Sequence, residues 1–253
     1  MHAATMRAAA AVLVVVGLAS TAAADDHARA AGAAGEYTHA AALDGGAVLA
    51  WWREPLGADL AIDGALGVVI ATHAGTTAAS LTNPRVRARY HATEALALSL
   101  ELTLPAASRR GDGGAVAAAM AAAHRDDPAP WLAGGTTLAA GLHRRWPGPR
   151  GELAFDAGFA WTVRADAADL PLVHVDASGA VRLLPATELT ARLRTTGYGL
   201  VADSAEDFVH TLALGARYRD RYRTLDLALE VPVDDADRAA DVVRGTVALT
   251  MDL

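Results

Sequence analysis

Hydrophobic and polar residues alternate with a period of two along most of the chain. Between Asn83 and Pro105, three arginines and then five leucines occupy every second position. On a helix this spacing would scatter both sets around the circumference, whereas on a strand each set lies along one face. The segment therefore predicts two strands, each with one apolar face and one polar or charged face.

The same alternation predicts ten strands between Ala58 and Leu253, separated by turn residues. Ala47–Trp52 is predicted as an eleventh strand and Glu36–Leu43 as a twelfth, with the turn between them at Asp44–Gly46. An even strand number is typical of bacterial outer-membrane barrels, so we expect twelve. Ten strands with an N-terminal extension remain the alternative.

Two predicted hairpins test whether apolar residues meet apolar residues across a strand pair. A two-residue turn at Asp220–Arg221 pairs Arg217 with Thr224 and keeps polar side chains together. In the hairpin of Asn83–Pro105, the polar positions of both strands are odd-numbered, which fits a three-residue turn at Ala92–Glu94. Both hairpins therefore present one shared apolar face.

Long and short connections alternate along the chain. The long ones are predicted at His73–Thr82, Ala106–Pro130, Leu200–Glu206 and Asp234–Asp241. Outer-membrane barrels follow this rule, with short periplasmic turns and longer extracellular loops. Residues 106–130 are thus predicted as a long extracellular loop, whose alanine-rich part resembles a short helix that either caps the barrel or folds into it.

The N-terminus has the layout of a secretory signal. Arg7 precedes a short apolar run, and small residues follow before Asp25. We expect residues 1–24 to be a signal peptide and residues 25–253 to form a single barrel domain.

Composition removes several kinds of chemistry. The chain has no cysteine and no lysine, which excludes disulfides, cysteine-ligated metals and lysine catalysis. The net charge of −7 argues against nucleic acid as a partner. The histidines lack metal-ligand spacing, so neither a metal nor a cofactor is expected.

The arginines indicate which solvent lies on each face. An arginine facing lipid at mid-depth costs roughly 2–4 kcal/mol, so Arg85, Arg87 and Arg89 must face water. The small residues of one strand, Gly135 to Gly141, would pack poorly in a soluble core. Aromatic residues near strand ends fit interfacial girdles: Trp52, Tyr90, Trp131, Trp146, Tyr198, Tyr218 and Tyr222. The predicted fold is an all-β, closed, antiparallel up-and-down transmembrane barrel in a bacterial outer membrane.

Charged residues on the polar faces are predicted to line the pore. They are Arg85, Arg87, Arg89, Glu101, Asp156, Asp176, Glu188, Arg192, Arg194, Arg217 and Asp226. One interpretation is a charged ladder that sets solute selectivity. The other is a structural network of arginine–carboxylate pairs that fills the lumen. A further set of acids, including Asp126 and Asp127, is predicted to lie in the outer loops.

The hairpin of Asn83–Pro105 resembles a known family. An Asn-Pro opens its alternating strand, and its leucine-rich partner ends in Leu-Pro, as in the transporters grouped with the MetA pathway of phenol degradation. The resemblance implies passage of small compounds, with hydrophobic ones among the candidates. It supplies no catalytic residue.

The predicted function is passive passage of small solutes, or a structural role. Expected partners are membrane lipids, lipopolysaccharide, a small solute and, through the C-terminal strand, the barrel-insertion machinery. One alternative is a soluble periplasmic barrel that binds an apolar ligand. Another is an outer-membrane lipid-modifying enzyme using Ser204, Asp207 and His210, although no nucleophile motif surrounds the serine.

Overall fold

The computed structural model describes residues 28–165, 167–198, 208–234 and 241–253, which form thirteen strands and one helix. The first strands are β1 (Ala30–Ala40), β2 (Leu43–Pro55), β3 (Leu60–His73), β4 (Thr76–Leu81), β5 (Arg85–Thr93) and β6 (Leu96–Thr103). Helix α1 (Gly111–Ala123) precedes β7 (Gly135–Gly148), β8 (Gly151–Arg164), β9 (Leu170–Leu184) and β10 (Thr187–Gly197). The last strands are β11 (Phe208–Arg219), β12 (Arg223–Pro232) and β13 (Val243–Asp252). The predicted signal peptide, residues 1–24, lies outside the described residues.

The strands close into an antiparallel barrel with twelve wall positions. β1 pairs with both β2 and β13, which joins the two ends of the sheet. β3 pairs with β4 along Val68–His73 and with β5 along Leu60–Ala65, so β4 and β5 are two halves of one wall position. The predicted fold and strand number are confirmed. Within the described residues, no helix is long and apolar enough to cross a membrane.

The two ends of the barrel differ in their connections. The turn end carries the short links 56–59, 94–95, 149–150, 185–186 and 220–222, together with the described ends of the chain. The loop end carries the long links 104–134, 198–207 and 233–242. This asymmetry was predicted from the sequence.

Two connections at the loop end are shorter than predicted. The long connection expected at His73–Thr82 is instead a two-residue turn, Ala74–Gly75, followed by β4. Both turn residues have positive φ, 49° and 83°, as tight hairpins of right-twisted strands require. The first hairpin turns at residues 41–42, so Asp44–Gly46 lies inside β2 and the predicted turn there was wrong.

The apolar faces point out of the barrel. Leu98, Leu100 and Leu102 are 46%, 54% and 40% exposed, whereas Arg89 on the neighbouring strand is 7% exposed. In a soluble barrel the leucines would form the core and the arginine would lie outside. The predicted orientation, with apolar side chains outside and charged side chains inside, is confirmed. It is the opposite of what the alternative of a soluble periplasmic barrel requires.

In both predicted hairpins each side chain lies on the expected face, but the strands pair two residues away from the register predicted from the sequence. Arg217 lies opposite Asp226 instead of Thr224, because the Asp220 carboxylate accepts hydrogen bonds from the backbone N–H groups of Tyr222 and Arg223 and extends the turn. In the other hairpin, a bulge near His91 puts Arg87 opposite Glu101. A shift of two preserves the face of every side chain.

Exposed aromatic residues form a girdle at the turn end: Trp52, Tyr90, Trp146, Tyr218 and Tyr222. The prediction for Trp131 was wrong, since this side chain is 2% exposed and packs inside the barrel. Its neighbours there are Val116 and Met120 of α1 and apolar side chains of β2 and β3. The 104–134 segment therefore folds into the lumen instead of capping it.

Asn83 fastens both ends of this inward segment. Its side-chain N–H groups donate to the carbonyls of Ala129 and Leu132, and its Oδ1 accepts from the N–H groups of Ala106 and Ala107, at 2.8–2.9 Å. These four contacts use the full hydrogen-bonding capacity of an amide side chain. The wall is interrupted at this point, between β4 and β5, so the Asn-Pro of the sequence marks the place where the segment is held.

We expect Asn83→Ala to release the segment, because four buried or partly buried backbone groups would lose their hydrogen-bond partner, at a cost of at least about 2 kcal/mol. Limited proteolysis of the folded protein should then cut within 104–134 faster than in the wild type. Asn83→Asp keeps an acceptor for Ala106 and Ala107 but donates nothing, and should give an intermediate rate. Equal cleavage rates in all three proteins would show that Asn83 does not hold the segment.

Candidate functional site

The barrel encloses a cavity of about 400 Å³ lined by charged and small side chains. Ten of the eleven residues predicted to line the pore border this cavity, and only Glu188 of that set does not. Inward positions of β6 to β9 include Ser99, Gly141, Ala154 and Ser178, which leave space beside the charged groups. The alternation therefore locates the lumen surface correctly, while the role of these residues in permeation stays a prediction.

One group of ion pairs lies on the β2–β6 side of the wall. Arg87 donates twice to Glu101, at 2.9 and 2.6 Å, directly across the strand pair. Asp63 of β3 lies between two arginines and accepts from Arg53 at 2.7 Å and from Arg89 at 3.0 Å. Charge-assisted pairs of this kind are the strongest polar contacts available to a buried wall.

A second group lies on the β9–β13 side. Arg194 donates to both oxygens of Asp176 at 2.9–3.0 Å, and Arg192 donates to Glu230. Nearer the turn end, Arg217 donates to Asp226 at 2.6 Å and lies 3.5 Å from Glu188.

The remaining predicted residues also have partners. His143 of β7 contacts Asp156 at 2.7 Å, and Arg85 lies 3.6 Å from Asp127. Every residue of the predicted set thus has a complementary partner. This geometry favours the interpretation of a paired network over that of an unpaired ladder.

The segment His124–Asp127 crosses the lumen and contacts opposite walls. Its carboxylate Asp126 accepts from Arg244 of β13 at 2.7 Å and lies 3.6 Å from Arg194 of β10. The backbone carbonyl of Asp126 also accepts from Thr196 at 2.8 Å. Asp126 and Asp127 were predicted in the outer loops. The structure places them inside the barrel, because the preceding helix α1 is anchored there by its buried residues Val116, Ala117 and Met120.

His124 anchors the same segment to β1. Its Nδ1 lies 2.7 Å from the carbonyl of Met120, and its Nε2 contacts the Glu36 carboxylate. Its ring contacts the ring of Trp131 at a tilt of 40°, with centroids 4.9 Å apart. Burial lowers the pKa of His124, but the Glu36 carboxylate, assisted by Asp126 and opposed by Arg244, raises it above its ordinary value of 6.5. Both ring nitrogens face acceptors, which fits the protonated imidazolium.

Several residues at this site were not predicted from the sequence to lie in the lumen. Arg244 and Glu36 lie opposite the apolar positions of their strands, so the alternation could have found them. Asn83, His124 and Asp126 lie outside regular alternation, and no local pattern indicates that they meet the wall.

The catalytic alternative gains no geometric support. Ser204 and Asp207 lie outside the described residues. His210 alternates with the buried Val209 and Thr211 and contacts Thr195 of β10 at 2.9 Å. Among the residues that the structure describes, no group of three or more histidine and acidic side chains could hold a metal ion.

No family model and no curated protein sequence matches this chain. Solved structures share its fold. An outer membrane channel from Pseudomonas putida F1 has a TM-score of 0.58 at 13% identity, covering 92% of this chain and 100% of that one. The NanC porin has a TM-score of 0.57 at 7% identity, covering 88% and 100%.

The translocator domain of the autotransporter NalP from Neisseria meningitidis is also similar, with a TM-score of 0.57 at 9% identity and coverage of 89% and 88%. Closed topology, an outward apolar face and these neighbours identify the chain as a bacterial outer-membrane β-barrel. At such low identities the likeness shows the fold alone. The narrower resemblance to the MetA-pathway transporters stays a prediction.

The raised pKa of His124 predicts that the docking of the inward segment, residues 104–134, inside the lumen depends on pH. Because docking raises this pKa, the stabilisation from His124 is complete below pH 6.5 and is lost as the pH rises through the raised value. Fluorescence of Trp131, measured as the difference between wild type and Trp131→Phe, should therefore report release of the segment at alkaline pH.

His124→Gln is the matched control, because it keeps a polar side chain that cannot be charged. Its Trp131 signal should not change over the same pH range. A wild-type signal that is flat from pH 6 to 10, or a variant signal that changes equally, would contradict the role of His124.

Proposed function

We propose that this protein is a passive channel for small solutes across the outer membrane. The observation that carries the proposal is the internal cavity, which is lined by paired charges on its β2–β6 and β9–β13 sides and by small side chains of β6 to β9. A lumen built only for mechanical stability would be expected to fill this space with larger side chains, as eight-stranded barrels do.

The lining supports weak selectivity between cations and anions. Among the described residues, nine arginines and ten carboxylates border the cavity, and a protonated His124 balances their charges. Charged rings of one sign are what makes a pore ion-selective, and here the signs alternate around the wall.

The same lining favours small polar solutes over hydrophobic ones. The apolar residues inside the barrel are buried against each other, as Leu49 and Val69 of the wall are in one cluster with Met120 of α1. The ten predicted residues that border the cavity would then define the polar passage through their paired charges. The alternative of hydrophobic cargo depends on the resemblance of the Asn83–Pro105 hairpin.

The inward segment is proposed to limit the conductance. α1 packs on β3 and β4, and His124–Asp127 reaches the far wall, so the segment narrows the lumen at the loop end. Its removal would leave the wall intact, because the described strands pair with one another without it.

Replacing residues 111–123 with a Gly-Ser linker is expected to raise the single-channel conductance several-fold in planar bilayers. The same replacement of residues 165–169, at the same end of the barrel, should leave the conductance unchanged. Absence of conductance steps in the wild type and in both variants, with folding verified by heat-modifiable gel mobility, would refute the channel.

A further inference from the structure

Three arginines from separate strands converge on two adjacent carboxylates of the inward segment. Arg244 of β13 contacts Asp126 at 2.7 Å, and Arg194 of β10 lies 3.6 Å from the same carboxylate. Arg85 of β5 lies 3.6 Å from Asp127. The wall thus offers guanidinium groups from three directions around one small volume.

The inward segment does not provide a hydrogen-bond acceptor for every guanidinium N–H group of these three arginines. Two of the three contacts are 3.6 Å long, beyond the range of a hydrogen bond, whereas the wall pair of Arg194 with Asp176 is 2.9–3.0 Å. The Nε of Arg244 is buried without a hydrogen-bond partner among the described residues. An arginine cluster arranged around its own chain would be expected to use its donors more fully.

The wall carboxylates compensate for this deficit least at Arg85. Arg244 and Arg194 also pair with Glu230 and Asp176, whereas Glu101 attracts Arg85 electrostatically but accepts its hydrogen bonds from Arg87. Among the described residues, the ion pair of Arg85 is with Asp127, whose side chain is 39% exposed. The segment therefore holds this end of the cluster most loosely.

We propose that Arg85, Arg194 and Arg244 form a binding site for small dicarboxylate anions, which the inward segment fills with Asp126 and Asp127. The carboxylates of two adjacent residues occupy the site, as the two carboxylates of one small dianion would. Arginine is suited to this ligand class because its planar fork binds carboxylates through paired N–H donors.

A free dianion would replace the two side chains as the counter-ion of the arginines, and the displaced carboxylates would turn toward the water of the lumen with counter-cations that balance the added charge. Asn83 holds the ends of the segment, and the backbone around Asp126 is held by Thr196, so the exchange requires only local movement of the carboxylates. This proposal rests on the proposed channel function in one respect, that the bound anion would pass through the barrel. Binding itself does not depend on it and can be measured without a bilayer.

The test measures binding of succinate to detergent-folded protein by isothermal titration calorimetry. In Asp126→Asn/Asp127→Asn the tethered competitor loses its charge, so succinate should bind at least tenfold more tightly than to the wild type. Asp169→Asn, which removes a loop carboxylate that contacts Trp161, should bind succinate as the wild type does. Adding Arg85→Gln to the double variant should weaken binding again.

A double variant that binds succinate no more tightly than the wild type would overturn the site. Should the double variant fail to fold, Asp127→Asn alone replaces it, because this side chain is the more exposed of the two and makes only a long contact. At least threefold tighter binding is then expected, and unchanged binding would overturn the proposal. Failure of the channel would appear instead as absent conductance with succinate binding intact.

Discussion

The structure depends on one constraint: in hydrocarbon, every backbone N–H and C=O group must find its partner within the protein. A closed sheet meets this requirement because it has no free edge within the wall, and here the pairing of β1 with both β2 and β13 provides the closure. Period-two alternation then separates two solvents. Leucine and valine contact lipid, and each arginine on the opposite face of a strand lies in the lumen.

The lumen in turn must accommodate many charges in a small space. Strand register places Arg87 opposite Glu101 and Arg217 opposite Asp226, so the wall neutralises most of its own charge. The inward segment completes this balance with His124 on Glu36 and with the two aspartates on the arginines of β5, β10 and β13. Its apolar part is held separately, by the packing of α1 on β3 and β4. Electrostatic and apolar contacts therefore hold the segment at different surfaces, so one set can change while the other persists.

The sequence predicts the wall well because each strand residue obeys a local rule. Leu100 and Arg89 could be assigned to their faces from spacing alone, and an error of two residues in a turn, as at Asp220, leaves those faces unchanged. The interior of the loop end could not be predicted in the same way. The positions of Trp131, Asp126 and His124 depend on where the long segment docks, which is set by tertiary contacts with residues distant in sequence, such as Glu36. The Ala74–Gly75 turn was missed because alanine is not typical of positive φ.

The most direct test of the account is the solvent that each face of β6 contacts in a bilayer. The chain contains no cysteine, so single cysteines at Ala97, Leu98, Ser99, Leu100 and Leu102 can carry nitroxide spin labels without background. Electron paramagnetic resonance of the protein in lipid vesicles should show labels at the three leucine positions relaxed by oxygen. Labels at Ala97 and Ser99 should be protected from oxygen and accessible only to a water-soluble nickel chelate. The opposite pattern, or accessibility without a period of two, would contradict the assignment of lipid to the leucine face and water to the arginine face.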